Sequence, residues 1–401
     1  MSELAKEEIV LNCVPHDPNA VLVTRVWDPS APRSDDGGPV VCLVAGDQIV
    51  DITSPDAPTM RDLLELDDPA GYALARGQTG RHIGSVSDAA TQSLSNASHG
   101  SGLRFLAPND LQAVKACGVT FAKSMIERVI EEKAGGDASR AIEIRKVCQE
   151  IIGESLDKLK PGSEQAQAVK AALLAEGWWS QYLEVGIGPD AEVFTKSQPL
   201  SAVGWGAYVG LHPISSWNNP EPEVVLAVDS RGRVKGAALG NDVNLRDVEG
   251  RSALLLGRAK DNNASCAIGP AIRLFHKDFD LDDIREEKLE LHIEGRDGYV
   301  LHGRSSMREI SRDPADLVQQ AYGAHHQYPD GFMLFLGTLF APVEDRDEPG
   351  QGFTHKLGDR VTISSKSLGA LVNDVHLSTD CPPWTFGSGA LIRNLSARKL
   401  I

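Results

Sequence analysis

Hydrophobic and polar positions change rhythm twice along the chain. From Val21 to about Leu106, short apolar runs such as VLVTRVW and PVVCLVAGDQIVDIT alternate with turn residues, Gly37-Gly38 and Gly46-Asp47 among them. Such spacing predicts strands joined in hairpins. MRDLLEL is the one helical patch there, and the stretch from Gly80 to Gly102, rich in Ser, Asn, Thr and Gly, is expected to be a linker or exposed loop. A boundary near Pro108 makes residues 1–108 a small β-rich N-terminal domain.

From Phe121 to Leu183 the period becomes helical: Met125, Ile126, Val129 and Ile130 form one stripe, and Ala141, Ile144, Arg145 and Cys148 another. Gly135-Gly136 followed by Asp137 ends one helix and caps the next, and Pro161-Gly162-Ser163 precedes the helix that carries Val169, Ala172 and Leu173. Beyond Glu184 alternation returns in EVVLAVD, VKGAALG, KLELHIEG, YVLHG, FMLFLG, RVTISS and LGALVNDVHL, with helices expected near Leu254 and from Asp313 to Tyr322. The expected class is α+β: a catalytic domain over residues 109–401, with a β-rich core and a helical segment at 121–183 that serves as a lid or a dimer contact.

Composition narrows the function. The 401 residues carry 40 Lys+Arg against 56 Asp+Glu, a net charge of -16, which repels phosphate backbones and acidic membranes and argues against a nucleic-acid partner. The longest nearly apolar stretch, GFMLFLGTLFAPV from Gly331 to Val343, falls short of the roughly 20 residues that span a bilayer. MSELAKEEIV lacks the basic start and apolar run of a signal peptide, so a cytoplasmic protein is expected. Its six cysteines are scattered without C-x-x-C, as reduced core thiols are. Phosphate-loop, nucleophile-elbow, zincin and dinucleotide motifs are absent.

The chemistry concentrates between Trp217 and Pro270. Glu221 and Glu223 stand two apart at the start of an apolar run, a spacing that puts both carboxylates on one face of a strand. An isolated pair of this kind is commonly a solvated surface feature. Here, however, Ser230-Arg231-Gly232 turns the chain, and the returning VKGAALGN brings Asp242 back toward the first strand's start. Three converging carboxylates favour a hard divalent cation, Mg2+ or alternatively Mn2+. Lys260 follows SALLLGRA, which directs it inward, where a buried lysine can act as a base. His325 and His326 are adjacent and, in an extended segment, point to opposite faces, so a shared metal is disfavoured and a place in the pocket wall is expected.

These residues resemble the fumarylacetoacetate hydrolase superfamily over about residues 112–401. The likeness rests on E-x-E at Glu221 and Glu223, D-x-x-x-R-D beginning at Asp242, A-K-x-x-x-x-S-C with Lys260, and a G-T pair after FMLFL at Gly337 and Thr338. It implies a mixed β-roll or sandwich core, Mg2+ held by Glu221, Glu223 and Asp242, an active-site Lys260, a substrate carboxylate held at Gly337 and Thr338, and a homodimer or higher assembly. Family hydrolases carry G-x-x-Y-x-x-H-x-x-E, whose His and Glu activate water; GVTFAKSMIE places Phe121, Ser124 and Glu127 there. A serine cannot replace histidine as a base near neutral pH.

The lid sequence, with NNPEPEVVL, GNDVNLRD and HQYPDGF, resembles the sugar-acid dehydratase branch of the superfamily. The expected reaction is therefore the Mg2+-dependent dehydration of a 2-keto-3-deoxy-pentonate, 2-keto-3-deoxy-D-xylonate or D-arabinonate, to 2,5-dioxopentanoate in pentose catabolism. Lys260 is expected to take the C3 proton, with Glu127 and Ser124 relaying protons to the leaving hydroxyl, and Phe121, Arg246 and Lys196 to contact the substrate. The alternative is a C–C hydrolase that cleaves a 2,4-diketo-3-deoxy sugar acid to pyruvate and a hydroxy acid.

Overall fold

The computed structural model describes residues 7–401, apart from residues 8, 35, 99–101, 142–143, 145–158, 176, 339, 341, 343 and 348–351. Arg145 and Cys148, expected on a helical stripe, lie outside the described residues. Among the described residues the fold is α+β, as expected, and is built on two sheets.

In chain order the strands are β1 (Leu22–Asp28), β2 (Gly38–Ala45), β3 (Gln48–Asp51), β4 (Arg81–Ser85), β5 (Arg104–Leu106), β6 (Ala113–Gly118), β7 (Glu192–Ser197) and β8 (Tyr208–Leu211). They continue as β9 (Pro222–Val228), β10 (Val234–Asp242), β11 (Cys266–Leu274), β12 (Lys288–Glu294), β13 (Val300–Ser306), β14 (Phe332–Phe335), β15 (Arg360–Ser365) and β16 (Gly369–Leu377). The eleven-stranded sheet runs β4-β3-β2-β1-β11-β10-β9-β14-β6-β7, with β5 paired to β1 off this path. A five-stranded sheet, β13-β12-β15-β16-β8, packs against it.

Strand β9 shows why the large sheet is internal. Val224, Leu226 and Val228 face the core that also holds Leu289, Leu291, Ile293 and Ile363 of the smaller sheet. Val225 and Ala227 face a second core with Met333, Phe335 and the helical residues Met60, Leu63 and Leu64. Period-2 alternation thus serves two apolar faces, and no position of β9 reaches solvent. The strands of segment 1–108 belong to this same sheet: Leu22 and Val23 of β1 pair with Arg273 and Ile272 of β11.

The stretch from Gly80 to Gly102 is not a plain loop. It forms β4 and the helix Val86–Ser95, for which Ser85 is the N-cap, its hydroxyl accepting the Asp88 N–H at 2.9 Å. The small polar residues that suggested a linker are capping and pairing instead, while Val86, Ala89 and Ala90 bury the helix's inner face. The expected helices near Leu254 and Asp313 are present as a 3-10 turn Ala253–Leu255 leading into Leu256–Lys260, and as Pro314–Ala321.

The segment 121–183 supplies helices Ala122–Ala134, Glu164–Ala175 and Gln181–Ile187. Their buried side chains, including Met125, Val129, Ile130, Leu173 and Leu183, form a third core with Trp217. Gly135 and Gly136, at φ 66° and 77°, end the first helix. A Cβ on Gly136 would come within 2.5 Å of the Asp247 carbonyl oxygen, so glycine is required for the close approach to the segment after β10.

Candidate active site

Strands β9 and β10 build the site. Gly232, at φ 75°, closes the turn by donating its N–H to the Asp229 carbonyl at 3.0 Å, and the returning strand sets Gly240 opposite Glu223. One step further, the Asp242 N–H donates to the Glu221 carbonyl at 3.0 Å. The hairpin thereby gathers Glu221, Glu223 and Asp242, each of which offers a carboxylate oxygen within 4.8 Å of the others, and all three are buried. The all-carboxylate donor set suits a hard divalent ion such as Mg2+ in its chemistry.

Two lysines reach the carboxylates. Lys260, at the end of helix Leu256–Lys260, places Nζ 2.5 Å from Glu221 Oε2 and 3.0 Å from Asp242 Oδ2. Lys196, on β7, is fully buried with Nζ 2.7 Å from Asp242 Oδ1, and it donates to the Lys260 and Val243 carbonyls at 2.6 and 3.1 Å. Three protein oxygens therefore surround the Lys196 ammonium, which orients Asp242 and is not directed at a substrate. Glu223 is held differently: its Oε2 accepts the Gly337 N–H at 2.6 Å.

The helix Ala122–Ala134 closes the other side. Its Arg128 donates to Glu221 Oε1, and Arg128 Nη1 also stands 2.6 Å from Glu131 Oε2 and 3.2 Å from Glu249 Oε2. Ser124 lines the pocket while its hydroxyl donates to the Phe121 carbonyl at 2.9 Å. Cys117, Gly118, Val119, Glu192, Phe194, Glu249 and Thr338 complete the wall around a cavity of about 20 Å³, enough for roughly one water. A five-carbon acid is larger than this volume.

Charge within this closed volume sets the protonation pattern. Burial, followed by the charges of Asp242 and Glu221, pushes the Glu223 carboxyl well above its ordinary range. Burial also opposes ionisation of Asp242, but Lys196 and Lys260 more than offset it and hold that carboxyl low. The Lys260 ammonium is disfavoured by burial, yet Asp242, Glu221 and Glu249 keep its proton bound well above the usual lysine range. This reverses the expectation of a neutral lysine as long as the carboxylates carry their full charge. Burial raises Glu192 to about 7, with the Glu249 charge adding to the effect.

Several expected residues lie elsewhere. Arg246 is buried, with Nε 2.8 Å from Glu131 Oε1, Nη1 donating to the Pro342 carbonyl at 3.0 Å and its guanidinium over the Trp217 ring. It braces Glu131, which in turn holds Arg128, and it does not line the pocket. Glu127 is 3.8 Å from Arg246 on that same side and also lies off the pocket wall. Phe121 is core, bridged to Ile310. Thr338 does line the pocket, its hydroxyl placed 3.2 Å from the Pro222 carbonyl and 3.0 Å from that of Phe340. His325 and His326 are exposed on a surface turn, away from the pocket wall, with the His326 ring resting edge-on against Tyr328.

Arg128, Glu192 and Glu249 were not anticipated. Glu192 had a signal: EVFTKS places Glu192, Phe194 and Lys196 on one strand face, so singling out Lys196 pointed two and four residues back as well.

Residues 221–376 match the family profile described as the fumarylacetoacetate (FAA) hydrolase C-terminal domain. The chain is 31% identical over 214 residues to the "Probable 2-keto-3-deoxyxylonate dehydratase" of Haloferax volcanii, a match that covers 53% of this chain and 68% of that protein. It is 28% identical over 189 residues to the 2-dehydro-3-deoxy-D-arabinonate dehydratase of Saccharolobus solfataricus, covering 46% of this chain and 58% of the relative. In fold it is similar to 2-keto-3-deoxy-D-arabinonate dehydratase complexed with magnesium and 2,5-dioxopentanoate, with a TM-score of 0.56, 20% identity and coverage of 89% of this chain and 99% of that one.

Proposed function

The chain belongs to the fumarylacetoacetate hydrolase family and is an enzyme, and we propose that it dehydrates a 2-keto-3-deoxy-pentonate, 2-keto-3-deoxy-D-xylonate or D-arabinonate, to 2,5-dioxopentanoate. The observation that carries this reading is the content of the pocket: three carboxylates, Lys260, Ser124 and a carboxyl at Glu192 that holds its proton to about 7, with no histidine among the described lining residues. Elimination needs a base and an acid but no activated water, and that is the equipment present. The names of the two relatives with sequence likeness agree with it.

Glu221, Glu223 and Asp242 would hold Mg2+, which would supply positive charge to offset the negative charge that develops as the C3 proton leaves. Lys260 takes the C3 proton. It becomes able to do so once the charges of Glu221 and Asp242, which bind its own proton, are otherwise engaged. The C4 hydroxyl leaves as water with a proton from Glu192, which replaces Glu127 in the donor role because Glu192 lies on the pocket wall and Glu127 does not. A proton then leaves C5 and another reaches C3, which moves the double bond to C4–C5, and the resulting enol loses its hydroxyl proton and gains one at C4 to give the aldehyde with the carbon skeleton intact. Thr338 borders the substrate carboxylate, whereas Gly337, expected there too, lies off the pocket wall and gives its N–H to Glu223; Ser124 orients the departing water, and Lys196 is a positioning residue for Asp242. Arg128 yields its contact with Glu221 as substrate enters.

The localisation expected for such a reaction is cytoplasmic and the assembly a homodimer; among the described residues no helix is long and apolar enough to cross a membrane. The test is a coupled assay of the purified protein with 2-keto-3-deoxy-pentonate. Semialdehyde should form with Mg2+ and stop after chelation; no turnover with Mg2+ on either stereoisomer would remove the proposal.

A further inference from the structure

Outside the pocket, the outer face of β12 and β13 carries a pair of histidines in direct register. His292 and His302 are cross-strand partners, with Nδ1 atoms 3.1 Å apart and ring centroids at 4.3 Å. Both strands alternate strictly, Leu289, Leu291 and Ile293 inward and Glu290, His292 and Glu294 outward, so the two imidazoles share one partly solvated face. On the far side of the first ring, His292 Nε2 lies 3.2 Å from Glu294 Oε1.

We infer that His292 and His302 form a chelating site for a borderline transition-metal ion such as Zn2+, Ni2+ or Cu2+, with Glu294 as the outer partner that orients His292. Metal–nitrogen bonds of about 2.0–2.1 Å require two ligating nitrogens to lie roughly 2.9 Å apart at a right angle and roughly 3.3 Å apart at a tetrahedral angle. The observed separation falls between those limits, so neither ring has to move far to share one ion. Glu294, 3.2 Å from Nε2, favours the His292 tautomer protonated there, which leaves the lone pair on Nδ1, the nitrogen that faces His302. Imidazole pairs select this class of ion over Mg2+, which favours oxygen ligands. Water fills the remaining positions, since the face is open. Across β12 and the edge strand β13, a bound ion would act as a clip on the outer hairpin.

The experiment titrates Zn2+ into Mg2+-saturated protein by calorimetry, and records the EPR spectrum after one equivalent of Cu2+. One Zn2+ should bind per chain, Cu2+ should show coupling to two nitrogens, and melting should shift upward with Zn2+. His292→Ala and His302→Ala should each abolish that equivalent and the shift, and Glu294→Gln should weaken Zn2+ about tenfold. His325→Ala, at an exposed histidine elsewhere, should change neither. Mg2+-dependent activity should be unaltered in all four variants, which separates this site from the catalytic proposal. Equal Zn2+ binding by wild type and His302→Ala, or Cu2+ without two nitrogen couplings, would overturn the inference.

Discussion

Lys196 and Asp242 form a fully buried ion pair, Nζ to Oδ1 at 2.7 Å, and the same ammonium holds the carbonyl of Lys260. One side chain thus fixes both an expected metal ligand and the backbone of the expected base. Lys196→Met should cost about 3 kcal/mol of stability, as breaking a buried pair does, and weaken Mg2+ about tenfold or more. Chemical denaturation and calorimetry measure the two effects. Unchanged Mg2+ affinity in a folded variant would show that Asp242 needs no such support.

Protons and metal should compete at Glu223. Its carboxyl is pushed up by burial and by Asp242 and Glu221, so the metal-free protein retains that proton above the ordinary glutamate range. Binding of a divalent ion must displace it, and Mg2+ affinity should rise as pH increases through that range. Calorimetry in buffers of different ionisation enthalpy should detect proton release, and a Glu223→Gln variant should release fewer protons.

Glu192 offers a second pH signature. Its folded value of about 7 exceeds the model-compound value of 4.5, so the folded state binds more protons than the unfolded chain between those limits. Stability of the metal-free protein should therefore fall as pH rises from about 4.5 to about 7, and Glu192→Gln should flatten that decline. The same variant should lower kcat by about 10²–10⁴ while leaving Mg2+ affinity nearly intact. Retained kcat would assign the proton donor elsewhere.

Gly337 sits at φ 95°, and a Cβ there would lie 2.0 Å from Thr120 Oγ1, which is itself committed to the Leu336 carbonyl. Gly337→Ala should lose about 2 kcal/mol or more and pull its N–H away from Glu223, with weaker Mg2+ binding as the readout. Thr120→Ala in the same background should recover part of both losses.

Much of the site was legible because a hairpin is local. Glu221, Glu223 and the Ser230-Arg231-Gly232 turn lie close enough in sequence for strand period and turn chemistry to bring Asp242 home. Arg128 and Glu249 were not legible, because they join Glu221 through the packing of helix Ala122–Ala134, and no short-range pattern encodes that contact. The pairing of β1 with β11 spans nearly 250 residues and was equally hidden. Ser85 and its polar neighbours misled for a different reason: the residues that make loops flexible are those that cap helices.

Dehydration rather than carbon–carbon cleavage is the central claim, and carbon-13 NMR of the reaction mixture tests it most directly. With Mg2+ and labelled 2-keto-3-deoxy-pentonate, every carbon of the substrate should appear in 2,5-dioxopentanoate, and a 2,4-diketo-3-deoxy acid should remain unconsumed. Labelled pyruvate from the diketo acid, with the deoxy acid untouched, would contradict the account and show that water is activated in this pocket without histidine.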